Sequence, residues 1–147
     1  MIWKTSLYGD LSKDELYAIM HARQEVFIVE QTCWYLDADY KDQEAYHVMA
    51  FQNDELGAYT RLLPVGVAYD HYVSIGRVLT RPAFRKKLLG KALMEYSIRQ
   101  CRLLYGFLPI KISAQCYLDR FYNSFGFVKT GEEYLEDNIP HQAMILT

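Results

Sequence analysis

The sequence predicts an α+β fold in which helices flank a mixed, mostly antiparallel sheet of about six or seven strands. In the middle of the chain, a β-rich run, a long amphipathic segment and a second β-rich run follow one another. That order indicates a crossover between two parallel strands. Elsewhere, turn residues between short β-rich runs indicate antiparallel hairpins. The mixed sheet follows from combining the two patterns.

The first elements are a strand and a helix. Ile2 to Tyr8 can form the opening strand, and Ser12 and Glu15 have the spacing of a capping box, so a helix begins there. Apolar residues then recur every three or four positions as far as about Val29, with Arg23 as the polar exception. The predicted buried residues of this helix are Leu16, Ile19, Met20 and Phe27.

Three further strands follow an acidic, irregular segment at 30–44. Runs 46–52 and 56–63 flank the turn residues Asn53 and Asp54, which predicts a hairpin. The third run, 72–80, stops before Pro82, because proline cannot continue a ladder of hydrogen bonds. The second half of the chain then predicts a helix at 89–105, a strand at 109–114, a short helix at 117–125 and strands at 127–135 and 141–146.

Composition limits the class of protein. The 147 residues, 51% of them hydrophobic, fit one domain over 1–147. Sixteen basic residues against eighteen acidic ones give a net charge of −2, so we expect neither a nucleic-acid nor a membrane partner. The three cysteines have no paired spacing, so no metal site is predicted. No apolar run reaches membrane-spanning length, and we expect a cytoplasmic location.

The segment Val78 to Met94 carries the clearest chemical signal. It reads as a strand, a basic loop and a glycine, Gly90, that enters a helix. The first turn of a helix offers backbone N–H groups without intrahelical partners, together with the positive end of the helix dipole. These groups would be flanked by basic side chains, namely Arg85, Lys86, Lys87 and Lys91. A pyrophosphate suits such a pocket, although a solvated basic loop has the same composition.

A second motif narrows this interpretation. The chain resembles the GNAT superfamily of acyl-coenzyme A-dependent N-acyltransferases at eight positions, which are Val78, Pro82, Arg85, Gly90, Phe121, Tyr122, Gly126 and Phe127. It departs at Leu88, where the superfamily has a glycine. A left-handed conformation there would cost about 1–2 kcal/mol, so Leu88 is expected either to be helical or to carry strain.

The resemblance extends to the ElaA-type subgroup, whose loop also lacks that first glycine. It rests on Phe27 to Gln31, on the acidic aromatic loop with Tyr35, Asp37, Asp39 and Asp42, on His47, and on Glu136 to His141. It covers about residues 16–144 and implies a sheet whose parallel pair splays apart. Asn138 replaces a glycine of the subgroup, a change that asparagine tolerates where φ is positive.

The resemblance implies acetyl-coenzyme A as the acyl donor. Backbone groups of Val78, Leu79 and Thr80 would pair with its pantetheine arm in the manner of an added strand. The pyrophosphate would lie on the loop and helix start, formed by Arg85, Lys86, Lys87, Leu88, Leu89, Gly90 and Lys91. Phe121 would pack beside the pantetheine, and Ser124 would reach the coenzyme from the short helix.

The implied reaction is direct attack of a primary amine on the acetyl carbonyl. By resemblance Tyr122 is the general acid that protonates the departing thiolate, although a core aromatic would look the same. The base is open between His47 and His141, with Glu30 or Asp39 acting through water as alternatives. The carboxylates of Glu30, Asp37 and Asp39, beside Tyr35, would attract a small-molecule or lysine-like amine, unless the loop is merely solvated.

Three other functions fit parts of the sequence. A noncatalytic acyl-coenzyme A sensor would keep the pyrophosphate loop but lack a competent base. A mononucleotide-binding domain is disfavoured by the absence of a GKS or GKT triplet. A tyrosine-rich interaction module would bind no cofactor. The oligomeric state is open, a homodimer included.

Overall fold

All the strands lie in one sheet. The computed structural model describes residues 1–85 and 88–147. The seven-stranded sheet has the order β1-β2-β3-β4-β5-β7-β6. Its strands are β1 (Ile2–Leu7), β2 (Tyr46–Gln52), β3 (Glu55–Leu63), β4 (Val73–Thr80), β5 (Ile110–Gln115), β6 (Val128–Glu136) and β7 (Ile139–Leu146), and its helices are α1 (Lys13–Arg23), α2 (Leu89–Tyr105) and α3 (Asp119–Asn123). Among the described strands β4 and β5 alone pair in parallel, which confirms the predicted mixed sheet.

Two hairpins are set by their turn residues. At the β2–β3 turn Asn53 and Asp54 have φ of 51° and 63°, and at the β6–β7 turn Asp137 and Asn138 have φ of 52° and 63°. Positive φ at both central residues is the signature of the tight turns that match the twist of paired strands, and Asn and Asp adopt it most readily after glycine. The second turn places Glu136 and Asp137 at the tip of a hairpin, where they face the site described below.

The first helix departs from the sequence prediction. Its capping box is present, because Ser12 Oγ accepts a hydrogen bond from the N–H of Glu15 at 3.0 Å and Glu15 Oε1 accepts one from the N–H of Ser12 at 2.9 Å. After Arg23 the chain widens into a π-helical segment, Gln24–Glu30. The predicted buried set of this helix is wrong in part. Ile19, Ala22 and Val26 are buried, whereas Leu16, Met20 and Phe27 are only half-buried.

The helices cover the two faces of the sheet. α2 and α3 bury one face with a core that includes Leu93, Met94 and Tyr122. α1 and the π-helical segment bury part of the other face, where Ile19 and Val26 pack near Met49 and Tyr59. In the described part of the chain, no helix combines the length and apolar character needed to span a membrane.

Candidate active site

A cavity opens where β4 and β5 diverge. The two strands pair only at Val73 with Ile110 and at Ser74 with Lys111. Beyond that point their facing edges separate, and a cavity of about 900 Å³ lies against residues 75–80 of β4 and 112–115 of β5. Its other walls include part of the segment 26–41, residues of and before α3, and the β6–β7 hairpin, with Glu136, Asp137, Ile139 and His141. The volume is within the range of small-molecule sites.

A bulge in β4 borders this cavity. Tyr59 pairs with Leu79 and Arg61 with Gly76, so two residues of β4, Arg77 and Val78, stand opposite a single residue of β3. Arg77 has a φ of 51°, a left-handed conformation that costs a residue with a Cβ about 1–2 kcal/mol. A bulge re-aims side chains and frees backbone groups from the ladder. Here it directs Arg77 toward the acidic loop and leaves the backbone near Val78 at the cavity wall.

Tyr122 lies beside the same gap. It belongs to α3, is 6% exposed, and lines the cavity together with Leu118 and Tyr117. Its ring packs edge-on against Phe121 and Phe127, with centroids 5.1 and 6.1 Å away. Within the described residues its hydroxyl has no hydrogen-bond partner. Burial raises the pKa of Tyr122 to about 12, with a further contribution from Tyr117, so the hydroxyl carries its proton at neutral pH.

The predicted anion pocket involves the residues at the start of α2. Leu88 precedes the helix with a φ of 55°. Of the two conformations considered for this residue, it therefore adopts the strained, left-handed one. Leu89 turns its side chain into the core, and Gly90 begins the first turn, where an added Cβ would lie 3.8 Å from Phe121. Lys91 is exposed, 4.0 Å from Glu95. Lys86 and Lys87 lie outside the described residues.

Arg85 and Glu30 neutralise each other across the cavity wall. The guanidinium donates to both carboxylate oxygens of Glu30 at 2.6 Å and, through Nε, to the carbonyl of Thr80 at 2.9 Å. This hydrogen bonding lowers the pKa of Glu30 below its ordinary value. Glu30 and Arg85 were predicted to bind the acceptor and the pyrophosphate, respectively. Both line the cavity, but neither offers a free charge in this structure.

The acidic loop is held by a closed ring of ion pairs. Three arginines and three aspartates alternate, so that each carboxylate bridges two guanidinium groups, in the order Arg23, Asp37, Arg77, Asp39, Arg61, Asp42 and back to Arg23. The N–O distances run from 2.6 to 3.5 Å. Arg23 is fully buried, and burial opposes its charge, yet Tyr59, Asp42 and Asp37 keep its pKa above the ordinary value.

This ring corrects the predicted acceptor site. Asp37 is buried, does not line the cavity, and binds Arg23, Arg77 and the Tyr35 hydroxyl. Asp39 lines the cavity, but Arg61 donates to both of its carboxylate oxygens at 2.8 Å. Burial alone would raise the pKa of Asp39, but the hydrogen bonds and charge of Arg61 outweigh it and hold this pKa well below its usual range. The loop therefore brings no net negative charge to an amine. Tyr35 lines the cavity, as a wall residue.

His47 is not placed to act as the base. Its ring is fully buried, outside the cavity, and both nitrogens are engaged: Nε2 donates to the carbonyl of Asp42 at 2.9 Å, so Nδ1 accepts from the Tyr59 hydroxyl at 2.6 Å. Burial lowers the pKa of His47, with nearby Arg23 and Arg61 acting in the same direction. We therefore do not retain the base role for His47. Its ring instead binds the backbone of Asp42, a member of the ion-pair ring.

His47 makes stability depend on pH. Its folded pKa lies below the unfolded value of about 6.5, so below that pH the unfolded chain binds more protons and the free energy of unfolding falls. The slope for one proton is at most about 1.4 kcal/mol per pH unit. We expect urea unfolding to show this loss between pH 7 and 5.5, and His47→Gln to flatten it. His21→Gln, at an exposed position of α1, should retain the wild-type slope; an unchanged slope in His47→Gln would contradict the assignment.

His141 faces the cavity from β7. Its Nδ1 lies 2.7 Å from the carbonyl of Ile139, which fixes Nδ1 as the donor and leaves Nε2 with the lone pair when the ring is neutral. Nε2 lies 3.3 Å from a carboxylate oxygen of Glu136, and the ring stacks on Tyr134. A protonated His141 would therefore meet a carboxylate partner. Of the two predicted histidines, this one lines the cavity.

The two remaining predicted cofactor contacts are Phe121, in the middle of α3, and Ser124, which follows its last residue. Phe121 packs against Phe125 and near Gly90, at the start of α2. Ser124 is exposed, lies outside the cavity, and donates its hydroxyl to the carbonyl of Phe121 at 2.5 Å, as a helix-end contact. The structure thus gives Ser124 a local partner in α3.

Sequence reasoning missed several residues of this region. Arg61 and Arg77 hold the acidic loop, and Glu136 stands beside His141. A signal was present, because Arg61 and Arg77 interrupt strands of otherwise apolar or small residues, and a charge in a buried strand requires a partner. The three aspartates of the loop were the available partners.

Comparison with known proteins agrees with this geometry. Residues 9–147 match the family model of the acetyltransferase (GNAT) domain. The chain is 38% identical over 144 residues to protein ElaA of Escherichia coli, covering 97% of this chain and 94% of ElaA. The crystal structure of ElaA superposes with a TM-score of 0.93 at 37% identity, and an acyl-CoA N-acyltransferase from Pseudomonas aeruginosa does so with 0.93 at 39%, each over 100% of both chains. The chain therefore belongs to the GNAT family of acetyltransferases and is an ElaA-like member of it.

Proposed function

We propose that this protein transfers an acetyl group from acetyl-coenzyme A to the primary amine of a small-molecule or lysine-like acceptor by direct attack. The observation that carries the proposal is the position of Tyr122, whose hydroxyl borders the gap between β4 and β5. A proton donor is needed where a thiolate departs, and this hydroxyl is protonated at neutral pH. The family supplies the reaction class, and the acceptor is our inference.

The residues around the gap fit acyl-coenzyme A. The β5-facing edge of β4 has no strand partner after Ser74 among the described residues, so backbone groups of Val78–Thr80 can bind the amides of a pantetheine arm, apart from the Thr80 carbonyl, which accepts from Arg85. The first turn of α2 offers N–H groups and the positive end of its dipole to a pyrophosphate, with the exposed Lys91 as a flanking cation, while Arg85 is already paired with Glu30. When bound, the coenzyme supplies a thioester carbonyl that an amine can attack.

The chain's own groups have separate tasks in this proposal. A backbone N–H at the β4 bulge near Val78 stabilises negative charge on the carbonyl oxygen. Tyr122 donates its proton to the leaving sulfur. His141 accepts a proton from the acceptor amine at Nε2, directly or through one water, and Glu136 stabilises the resulting imidazolium.

We expect His141→Gln to lower kcat/KM about a hundredfold at neutral pH, the usual contribution of a general base, while the affinity for coenzyme A is unchanged. The loss should shrink as the assay pH rises, because the amine then loses its proton without help. His21→Gln, at an exposed position of α1 outside the cavity, is the matched control. A loss that is constant from pH 7 to 10 would contradict a base role for His141.

The function itself is tested by thiol release. Purified protein is mixed with acetyl-coenzyme A and a panel of diamines, amino acids and lysine-containing peptides, and the acetylated product is identified by mass spectrometry. We expect amine-dependent release of free coenzyme A with one acetyl group added to the amine. Coenzyme A binding without acetylation of any amine would indicate the noncatalytic sensor instead.

A further inference from the structure

The charges of the cavity are arranged at two ends. The ring of arginines and aspartates is neutral, and Arg85 is paired with Glu30. Near the hairpin tip, Glu136 and Asp137 lie beside His141. At the other end, where β4 and β5 pair, the ammonium group of Lys111 has no carboxylate within ion-pair distance among the described residues.

Lys111 is held in a defined place. Its ammonium lies 4.7 Å from the ring centroid of Tyr69 and 5.3 Å from that of Tyr72. The aromatic faces attract the cation without accepting its hydrogen bonds as a carboxylate would. Asp70 borders the same pocket but is exposed and makes no ion pair with Lys111. The N–H groups of Lys111 therefore remain available to an anion.

Lys111 also faces a side pocket that adjoins the main cavity. The side pocket has a volume of about 350 Å³, and Ala68 and Tyr69 line both spaces. Lys111 lies four residues before Gln115, which pairs with His141. At about 3.3 Å per residue, the backbone of Lys111 is thus ~13 Å along the strand from the level of the proposed base.

We propose that the acceptor is an amino carboxylate, with its reacting amine near His141 and its carboxylate bound by Lys111 in the side pocket. The inference rests on the proposed acetyl transfer. Such an acceptor carries several methylene groups between its two charged ends, as in lysine acetylated at its side-chain amine.

Matched substrate pairs test this proposal. L-lysine is compared with cadaverine, and 6-aminohexanoate with hexylamine, because each pair differs in one carboxylate. We expect the wild type to prefer the carboxylate member by about tenfold or more in kcat/KM, since the carboxylate accepts a hydrogen bond from the charged Lys111. Lys111→Met should erase the preference and leave hexylamine turnover unchanged, whereas Lys111→Arg should keep most of it. Lys13→Met, at an exposed residue of α1, is the control.

A direct binding measurement distinguishes this inference from the proposed function. Calorimetry with 6-aminohexanoate on the coenzyme A-loaded protein should show binding that Lys111→Met weakens about tenfold and Lys111→Arg retains, whether or not any amine is acetylated. Equal use of both members of each pair by the wild type, or a preference that survives in Lys111→Met, overturns the carboxylate site while leaving acetyl transfer standing. Absence of acetylation with carboxylate binding intact overturns only the proposed function.

Discussion

Replacing Tyr122 with phenylalanine is expected to lower kcat about a hundredfold or more, the usual contribution of a positioned acid, with little change in affinity for coenzyme A. The substitution removes the hydroxyl and keeps the ring, which packs edge-on against Phe121 and Phe127. Because the lost group acts on the leaving sulfur, the ground-state complex should be unaffected. Steady-state thiol release and calorimetry with coenzyme A measure the two quantities.

Tyr117→Phe is the matched control. Tyr117 also lines the cavity but is exposed, and it precedes the helix that carries Tyr122. We expect its kcat to stay close to the wild-type value. A Tyr122→Phe variant that turns over as fast as the wild type would show that Tyr122 is only a packing residue, which is the alternative that its 6% exposure allows.

Replacing Arg23 with methionine is expected to lower the free energy of unfolding by about 3–5 kcal/mol, the cost of breaking a buried ion pair from one side. Asp37 and Asp42 would each lose a guanidinium hydrogen bond of 2.6 Å while remaining buried. Single domains are typically stable by about 5–15 kcal/mol, so the loss would be a large share of the total. Urea denaturation measures it directly.

Two comparisons sharpen the Arg23 experiment. Arg99→Met removes an exposed guanidinium that lies 5.9 Å from the ring of Tyr96, and it should cost well under about 1 kcal/mol. Adding Asp42→Asn to Arg23→Met should recover part of the loss, since the uncompensated charge is then removed. A loss for Arg23→Met no larger than that for Arg99→Met would mean that the ring does not stabilise the fold.

Most of the fold could be predicted because its signals are local. α2 occupies Leu89–Tyr105 as expected from its apolar spacing, and the Asn53–Asp54 turn is where the flanking runs predicted it. The error came at α1, where the periodicity of the sequence continues past Arg23 but the backbone widens. The widened segment packs Val26 against the sheet, and no local pattern encodes this tertiary contact.

The parts of the site that are formed by the backbone could be predicted. The start of α2 follows from the order of elements, whereas the gap beside Val78 and the place of Tyr122 were expected from the resemblance to the GNAT superfamily. The pairing of charged side chains could not be predicted, because the arginine partners of the acidic loop come from α1, β3 and β4. From the sequence, Asp37 and Asp39 were expected to bind a cationic acceptor, and His47 and His141 were equally good candidates for the general base. Only their positions across the sheet distinguish a neutralised carboxylate from a free one and a core histidine from one at the cavity.

A structure of the protein with coenzyme A bound tests the central claim most directly, because that claim concerns where the sulfur lies. We predict that the sulfur lies within hydrogen-bond distance of the Tyr122 hydroxyl, with the pantetheine amides paired to Val78–Thr80 and the pyrophosphate at the first turn of α2. A coenzyme whose sulfur lies away from Tyr122, or whose pantetheine runs outside the gap between β4 and β5, would contradict it.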